Sequence, residues 1–151
     1  MKFIEGGVCA AKGFTANGVH CGIRKSRTKR DLALILSDRD AAAAAVYTTN
    51  LVKGAPLTVT KKHLENGVAR AVICNSGNAN TCNANGIEIA EETCAALGEK
   101  LGISPDDVVV ASTGVIGEPM SAEPIISGMD GLIAGLGDHN EYAAEAIMTT
   151  D

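Results

Sequence analysis

The run Val108-Val109-Val110-Ala111-Ser112-Thr113-Gly114-Val115-Ile116-Gly117 decides how this chain is read. Three consecutive valines predict a strand buried on both faces. The strand then passes into a turn of glycines and hydroxyl side chains. A strand end of this kind is where α/β proteins hold reactive groups, because backbone N–H groups freed there point at developing negative charge. Gly114 and Gly117 allow a ligand to approach the backbone closely, while Ser112 and Thr113 add hydroxyl donors. An oxyanion and a phosphate both fit that geometry, and an ordinary strand-to-loop turn has the same composition.

Residues 69–74 repeat the pattern, a buried strand ending in the polar turn Asn75-Ser76-Gly77-Asn78-Ala79-Asn80. Residues 19–23 and 32–36 read as two strands of a hairpin joined across Arg24-Lys25-Ser26-Arg27-Thr28-Lys29-Arg30. Asp38 and Asp40 mark the next turn. In residues 41–49 the alanines favour helix but Val46-Tyr47-Thr48-Thr49 favours strand, and the second half is expected to be strand. A short helix is expected over residues 58–65, stopped by Asn66-Gly67. A longer one runs from about Ile87 to Leu101, with Asn85 as N-cap, Glu88 three residues on and Gly102 as the stop. Ser121-Ala122-Glu123-Pro124 opens a third helix, and Asn140 caps a last one from Glu141 to about Met148. Strands alternating with helices, each strand closing in a Gly/Asn/Thr-rich turn, imply an α/β layered protein.

At 151 residues the chain has the length of one domain, enough to bury roughly 70% of its unfolded surface. Apolar residues make up 46%, with two Tyr, two Phe and no Trp, so the core must be built mainly from Ala, Val, Ile and Leu. A formal net charge of −5 argues against nucleic acid as a partner. The basic cluster at residues 24–30 holds no aromatic residue on which a base could stack and reads as a solvated loop. No segment approaches the roughly 18 apolar residues of a membrane span, and no signal-peptide pattern opens the chain. The expectation is a cytoplasmic protein with no membrane partner. The five cysteines, Cys9, Cys21, Cys74, Cys82 and Cys94, form no CxxC pair and are odd in number, which fits reduced thiols. His20, His63 and His139 are scattered, so no metal is expected.

The candidate chemistry therefore sits in the two polar turns. Asn75, Asn78 and Asn80 each offer a donor and an acceptor able to orient a substrate amide or carboxylate, although Asn also serves as a turn-maker. Cys74 and Cys82 are conceivable nucleophiles, but no neighbouring basic residue would lower their pKa. The Gly-Lys-Ser/Thr of a P-loop and the G-x-S-x-G elbow are both absent.

Six segments then occur in a telling order: Gly13-Phe14, Asp31-Leu32-Ala33-Leu34-Ile35, Thr48-Thr49-Asn50, the residue 75–80 turn, the residue 112–117 turn, and Ala146-Ile147-Met148-Thr149-Thr150-Asp151. In this order they resemble the N-terminal part of the bifunctional ornithine acetyltransferase (glutamate N-acetyltransferase) family of arginine biosynthesis. The resemblance runs from about Gly7 to Asp151.

It implies a layered α-β-β-α sandwich of the ornithine acetyltransferase and self-cleaving aminopeptidase type. Residues 1–151 would be an incomplete single α/β domain corresponding to most of the family's α chain. Such enzymes are made as one precursor and cut by their own threonine into α and β chains. The new N-terminal threonine then carries acetyl from N2-acetyl-L-ornithine to L-glutamate. Many members also acetylate glutamate from acetyl-CoA, so acetyl-CoA enters as a possible co-substrate, and no resident cofactor is implied. The β chain of the same precursor is the implied partner, in an α2β2 assembly. Thr113 and Gly114 match the family's oxyanion hole, and Thr149 (or Thr150, with the spacing from Thr113-Gly114 favouring Thr149) matches its substrate-binding threonine. The family's Met-Ala-Thr-Met-like cleavage run does not occur in these residues, so the nucleophile is expected downstream of Asp151. A related self-cleaving aminopeptidase and a stand-alone small-anion-binding module are the alternatives. The residue 75–80 turn and the closing Met-Thr-Thr-Asp favour the acetyltransferase.

Overall fold

A computed structural model of the chain describes residues 3–149. Its sheet is four-stranded, ordered β1 (Phe14–Val19), β2 (Leu32–Ala42), β3 (Val68–Asn78) and β4 (Val108–Val115). The first two pairings are antiparallel and the last, β3 with β4, is parallel. That parallel pair requires a crossover, and the crossover is the helix α2 (Gly86–Leu101). Helix α1 (Ala55–His63) precedes β3, and α3 (Glu123–Ala134) and α4 (Asn140–Ile147) follow β4.

The pleat divides the sheet's side chains cleanly. Leu32, Leu34, Ala71, Ile73, Val108 and Val110 meet Val59 of α1, Ala90, Cys94 and Leu97 of α2, and Ile125, Met129 and Leu132 of α3. This is the main core, and it holds no aromatic residue. On the opposite face α4 lays Ala143 and Ala146 against Ala16 and Ala33. The rest of that face, including Ile35, Val72, Cys74, Val109 and Ala111, is only half-buried. The valine run is thus buried on one face and partly open on the other, because the residues described put helices against Val108 and Val110 but little against Val109.

Several boundaries differ from the sequence reading, each for a local reason. The first strand covers Phe14–Val19 rather than residues 19–23. The fully buried Asp31 carboxylate accepts from the backbone amides of Cys21, Gly22 and Arg24, which draws those residues out of the ladder. Residues 46–49 are irregular rather than strand. β2 ends where β3 begins opposite it, at Ala42 paired with Val68, so nothing remains to pair with the residues beyond. Helix α1 starts earlier than expected because Pro56 sits in its first turn, where its missing N–H costs nothing. Asn85 does hold the N-cap position of α2 but makes no side-chain cap bond. At the other end Gly102 (φ 66°) closes the helix as expected, with the Ile103 amide returning to the Gly98 carbonyl. Asn140 is the first residue of α4 rather than its cap. No described helix is long and apolar enough to cross a membrane.

Candidate active site

β3 and β4 end side by side, so their polar C-terminal residues lie in register: Asn75 opposite Ser112, Ser76 opposite Thr113, Gly77 opposite Gly114. At this pair Gly114 stands hard against the Gly77 backbone. Gly114 has φ 132°, and a Cβ built there would lie 2.4 Å from the Gly77 carbonyl carbon and 2.7 Å from the Asn78 nitrogen. Only glycine fits such an approach at such a dihedral. Because β4 is an edge strand, alternate backbone N–H groups along it have no ladder partner. That is the raw material of an oxyanion site.

Neighbouring residues on a strand point to opposite faces, and this separates Ser112 from Thr113. Ser112 faces the main helical layer and donates to Asn75 Oδ1 at 2.6 Å. Its hydroxyl is spent on structure, contrary to the expectation that both hydroxyls serve the site. Thr113 faces the other way. There it lines an open cleft of about 400 Å³ together with Arg24, Gly77, Gly114, Val115 and Thr149. The three residues singled out in the sequence, Thr113, Gly114 and Thr149, therefore meet in one place. Thr150 lies outside the described residues.

Thr149 reaches the cleft because α4 is pinned on three sides. Gly18 of β1 lies so close beneath the helix that a Cβ there would stand 2.1 Å from the Tyr142 carbonyl oxygen. Arg30 binds Glu145 through its backbone N–H at 3.2 Å and its guanidinium at 2.5 Å, and lies 3.8 Å over the Tyr142 ring. The Ser76 hydroxyl, one residue from Gly77, donates to the Ala146 carbonyl at 2.5 Å. The chain leaves α4 in extended form at Met148 and delivers Thr149 beside Thr113.

Arg24 is a lining residue that the sequence reading had placed in a solvated loop. Within that cluster residues 25–29 are indeed exposed, whereas Arg24 and Arg30 fold inward. The sequence did carry a signal. Asp31 stands immediately before a buried strand, and a carboxylate fixed there must collect donors from its surroundings. Arg24 is one of them, its amide 2.9 Å from Asp31 Oδ2, while its Nε donates to Ser76 Oγ at 2.9 Å. It is the one charged residue among the described residues lining the cleft.

The asparagines are architectural. Asn75 donates to the Asn78 carbonyl, Asn78 to the Glu118 carbonyl and Asn80 to the Gly86 carbonyl. All three are buried, and Asn80 adopts a left-handed φ of 46°. They tie the ends of β3 and β4 to the start of α2 and are not among the residues lining the cleft. Burial pushes the Cys74 thiol up to about 11 and, with help from the Asp31 carboxylate, the Cys21 thiol to about 12. Neither is a thiolate near neutrality. Cys82 is exposed and is not one of the cleft residues. His63 is a core residue bound to the Val108 carbonyl at 2.9 Å. No group of three potential metal ligands occurs among the described residues.

Comparison with known proteins matches the sequence and the fold of this chain to a family. The ArgJ family model matches residues 15–151. The "arginine biosynthesis bifunctional protein ArgJ" of Gloeobacter violaceus is 48% identical over 154 residues, which cover 100% of this chain and 38% of that protein. The protein of the same name from Geobacter sulfurreducens is 49% identical over 142 residues, covering 93% and 36%. The chain thus spans under two-fifths of the length of these curated relatives. Among solved structures, the Bacillus halodurans ArgJ protein superposes with a TM-score of 0.90 at 40% identity, over 98% of this chain and 78% of that one. Ornithine acetyltransferase from Mycobacterium tuberculosis, solved in complex with ornithine, also gives 0.90, at 36% identity over 98% and 82%. The chain belongs to the ArgJ family.

Proposed function

We propose that this chain is the N-terminal part of an acetyltransferase of arginine biosynthesis, which moves acetyl from N2-acetyl-L-ornithine to L-glutamate through an acyl-enzyme. One observation carries the reading: Thr113, Gly114 and Thr149 line a single cleft, at the end of a parallel strand pair, in a fold that superposes on an ornithine acetyltransferase. In this scheme Thr113 Oγ and the Gly114 N–H donate to the oxyanion, and Thr149 holds the substrate. The nucleophile is a threonine of the downstream segment. Its own α-amine, with an ordinary pKa of about 7.7–8.0, serves as general base once self-cleavage has freed it. Acetyl-CoA is an alternative acetyl donor to glutamate.

The lengths support processing into two chains. The same stretch of sequence accounts for 38% of the curated relatives but 78% of the solved Bacillus halodurans chain, so that solved chain is about half as long. Residues 1–151 are then an incomplete α/β domain making up most of an α chain. It pairs with a β chain in an α2β2 enzyme of the cytoplasm.

The test is Thr113→Ala in the full-length, self-processed protein. Losing one oxyanion donor should lower kcat by roughly 10²–10³ and leave KM little changed. A change confined to KM would place Thr113 on ground-state substrate instead, and no transfer by the wild-type protein would remove the proposed activity altogether.

A further inference from the structure

We infer that Thr60 is a positioning residue for the acetyl transfer, its hydroxyl standing in for a fifth strand beside β4 and so fixing where Thr113 and Gly114 lie. The inference rests on the acetyltransferase reading and deepens it. Among the described residues β4 is the last strand of the sheet. An edge strand presents a row of unpaired N–H and C=O groups, and where they are buried each needs a partner.

Helix α1 supplies those partners through its side chains. Thr60 Oγ1 donates to the Val110 carbonyl at 2.8 Å and accepts from the Val110 N–H at 3.2 Å, so one hydroxyl makes both bonds of a missing neighbour. His63 Nδ1 meets the Val108 carbonyl at 2.9 Å. Thr60 and His63 share a face of the helix, and Val108 and Val110 share an edge of the strand. All four residues are buried.

A threonine inside a helix ordinarily turns its hydroxyl back on the carbonyl of the preceding turn. Thr93 of α2 does so, donating to the Ile89 carbonyl at 2.8 Å. Thr60 instead spends both donor and acceptor on the strand. Its hold ends at Val110. Further along the same edge, a depression of about 350 Å³ separates Ser112 from the start of α1, where Pro56 and Leu57 carry no polar side-chain atom to continue the ladder. The edge is thus pinned three residues before Thr113 and left open towards Gly114, whose N–H the proposed oxyanion requires.

Oxyanion donors act only where they are aimed, and a misplacement of about 1 Å can cost on the order of 10²-fold in rate. Thr149, which holds the substrate in this scheme, comes from α4 on the opposite face of the sheet. Loss of the Thr60 hydroxyl should therefore reach the rate and spare substrate binding.

The experiment uses the full-length, self-processed protein, with rates counted per cleaved chain. Thr60→Val keeps the side chain's shape without its hydroxyl, Thr60→Ser keeps the hydroxyl, and Val59→Ala opens a gap in the core beside it. Thr60→Val should lower kcat by about 10- to 100-fold with KM within about twofold, Thr60→Ser should return to within about threefold of wild type, and Val59→Ala should lower Tm while leaving kcat within about twofold. Hydrogen exchange reads the hold without turnover: amides of residues 109–115 should exchange faster in Thr60→Val and at the wild-type rate in Thr60→Ser. An equal fall of kcat in Thr60→Val and Val59→Ala would mean that Thr60 serves the fold alone. A rise confined to KM, or full activity in Thr60→Val, would mean that the oxyanion donors need no such hold; each of these overturns the inference. If Thr60→Val does not fold, Thr60→Ala takes its place and is judged by the same outcomes. A wild-type protein that transfers no acetyl would overturn the proposed reaction and leave the hold on β4 to the exchange comparison, where unchanged rates would overturn it.

Discussion

Gly114 is the residue at which the cleft tolerates least. Two separate constraints meet there: a φ of 132° that L side chains rarely adopt, and a neighbouring backbone 2.4 Å from where a Cβ would stand. Gly117 carries only the first kind, with φ 78° and nothing within 4 Å of its would-be Cβ. The pair therefore separates dihedral strain from close approach. Gly117→Ala should cost about 1–2 kcal/mol of stability. Gly114→Ala should cost that and about 1–3 kcal/mol more, because β3 and β4 must part to admit a methyl group. Urea denaturation of the full-length protein measures both, and equal losses would show that the contact with Gly77 counts for nothing. Parting the strands also moves Thr113, so acetyl transfer should fall further in Gly114→Ala than in Gly117→Ala.

Among the elements, α4 is the one that converts fold into site, because it ends at Thr149. Its hold on the sheet includes an ion pair whose pH dependence has a definite sign. The Arg30 N–H, and then its guanidinium, lower the Glu145 pKa below the ordinary value of 4.5. A carboxyl lowered on folding adds stability that is fully present above its unfolded pKa and fades as pH falls through its folded one. Glu145→Gln should therefore lower Tm at pH 7 and lose that difference in acid, at a pH below 4.5; a gap unchanged at pH 3 would mean that the charge plays no part. The docking of α4 also shows what the sequence made legible. Strands β3 and β4 and helix α2 with its Gly102 stop follow from apolar runs and glycines, which are local signals, whereas Thr113, Gly114 and Thr149, which line one cleft, were singled out through the resemblance to a known family. Arg24, the Asp31 amide cluster and the spending of Ser112 on Asn75 depend on contacts between residues far apart in the chain. Residues 46–49 show the same limit from the other side, since β-propensity makes no strand without a partner to pair with.

At the scale of the whole molecule the two faces of the sheet are unequal. Three helices seal one face over a continuous aliphatic core, while among the described residues α4, joined by Cys9, covers only part of the other. What α4 leaves is apolar: Ile35 and Val72 border two depressions of about 390 and 380 Å³, the first reaching Val109 and the second Cys74 and Ala111. We expect the downstream segment of the full-length protein to lie on this face, carrying the nucleophile to the cleft edge as it does so. Residues 1–151 produced alone should then show an apolar patch larger than the roughly 300–600 Å² usual on a monomer. They should self-associate or bind a hydrophobic dye, and they should transfer no acetyl from N-acetylornithine to glutamate. Co-expression with the downstream segment should abolish dye binding and restore transfer together, since one docking event accounts for both. A separately produced chain that stays monomeric at high concentration, binds no dye and melts cooperatively above about 65 °C would overturn this account. Turnover by that chain alone would place a nucleophile within these residues, and the exposed Cys82 would be the first to replace by alanine.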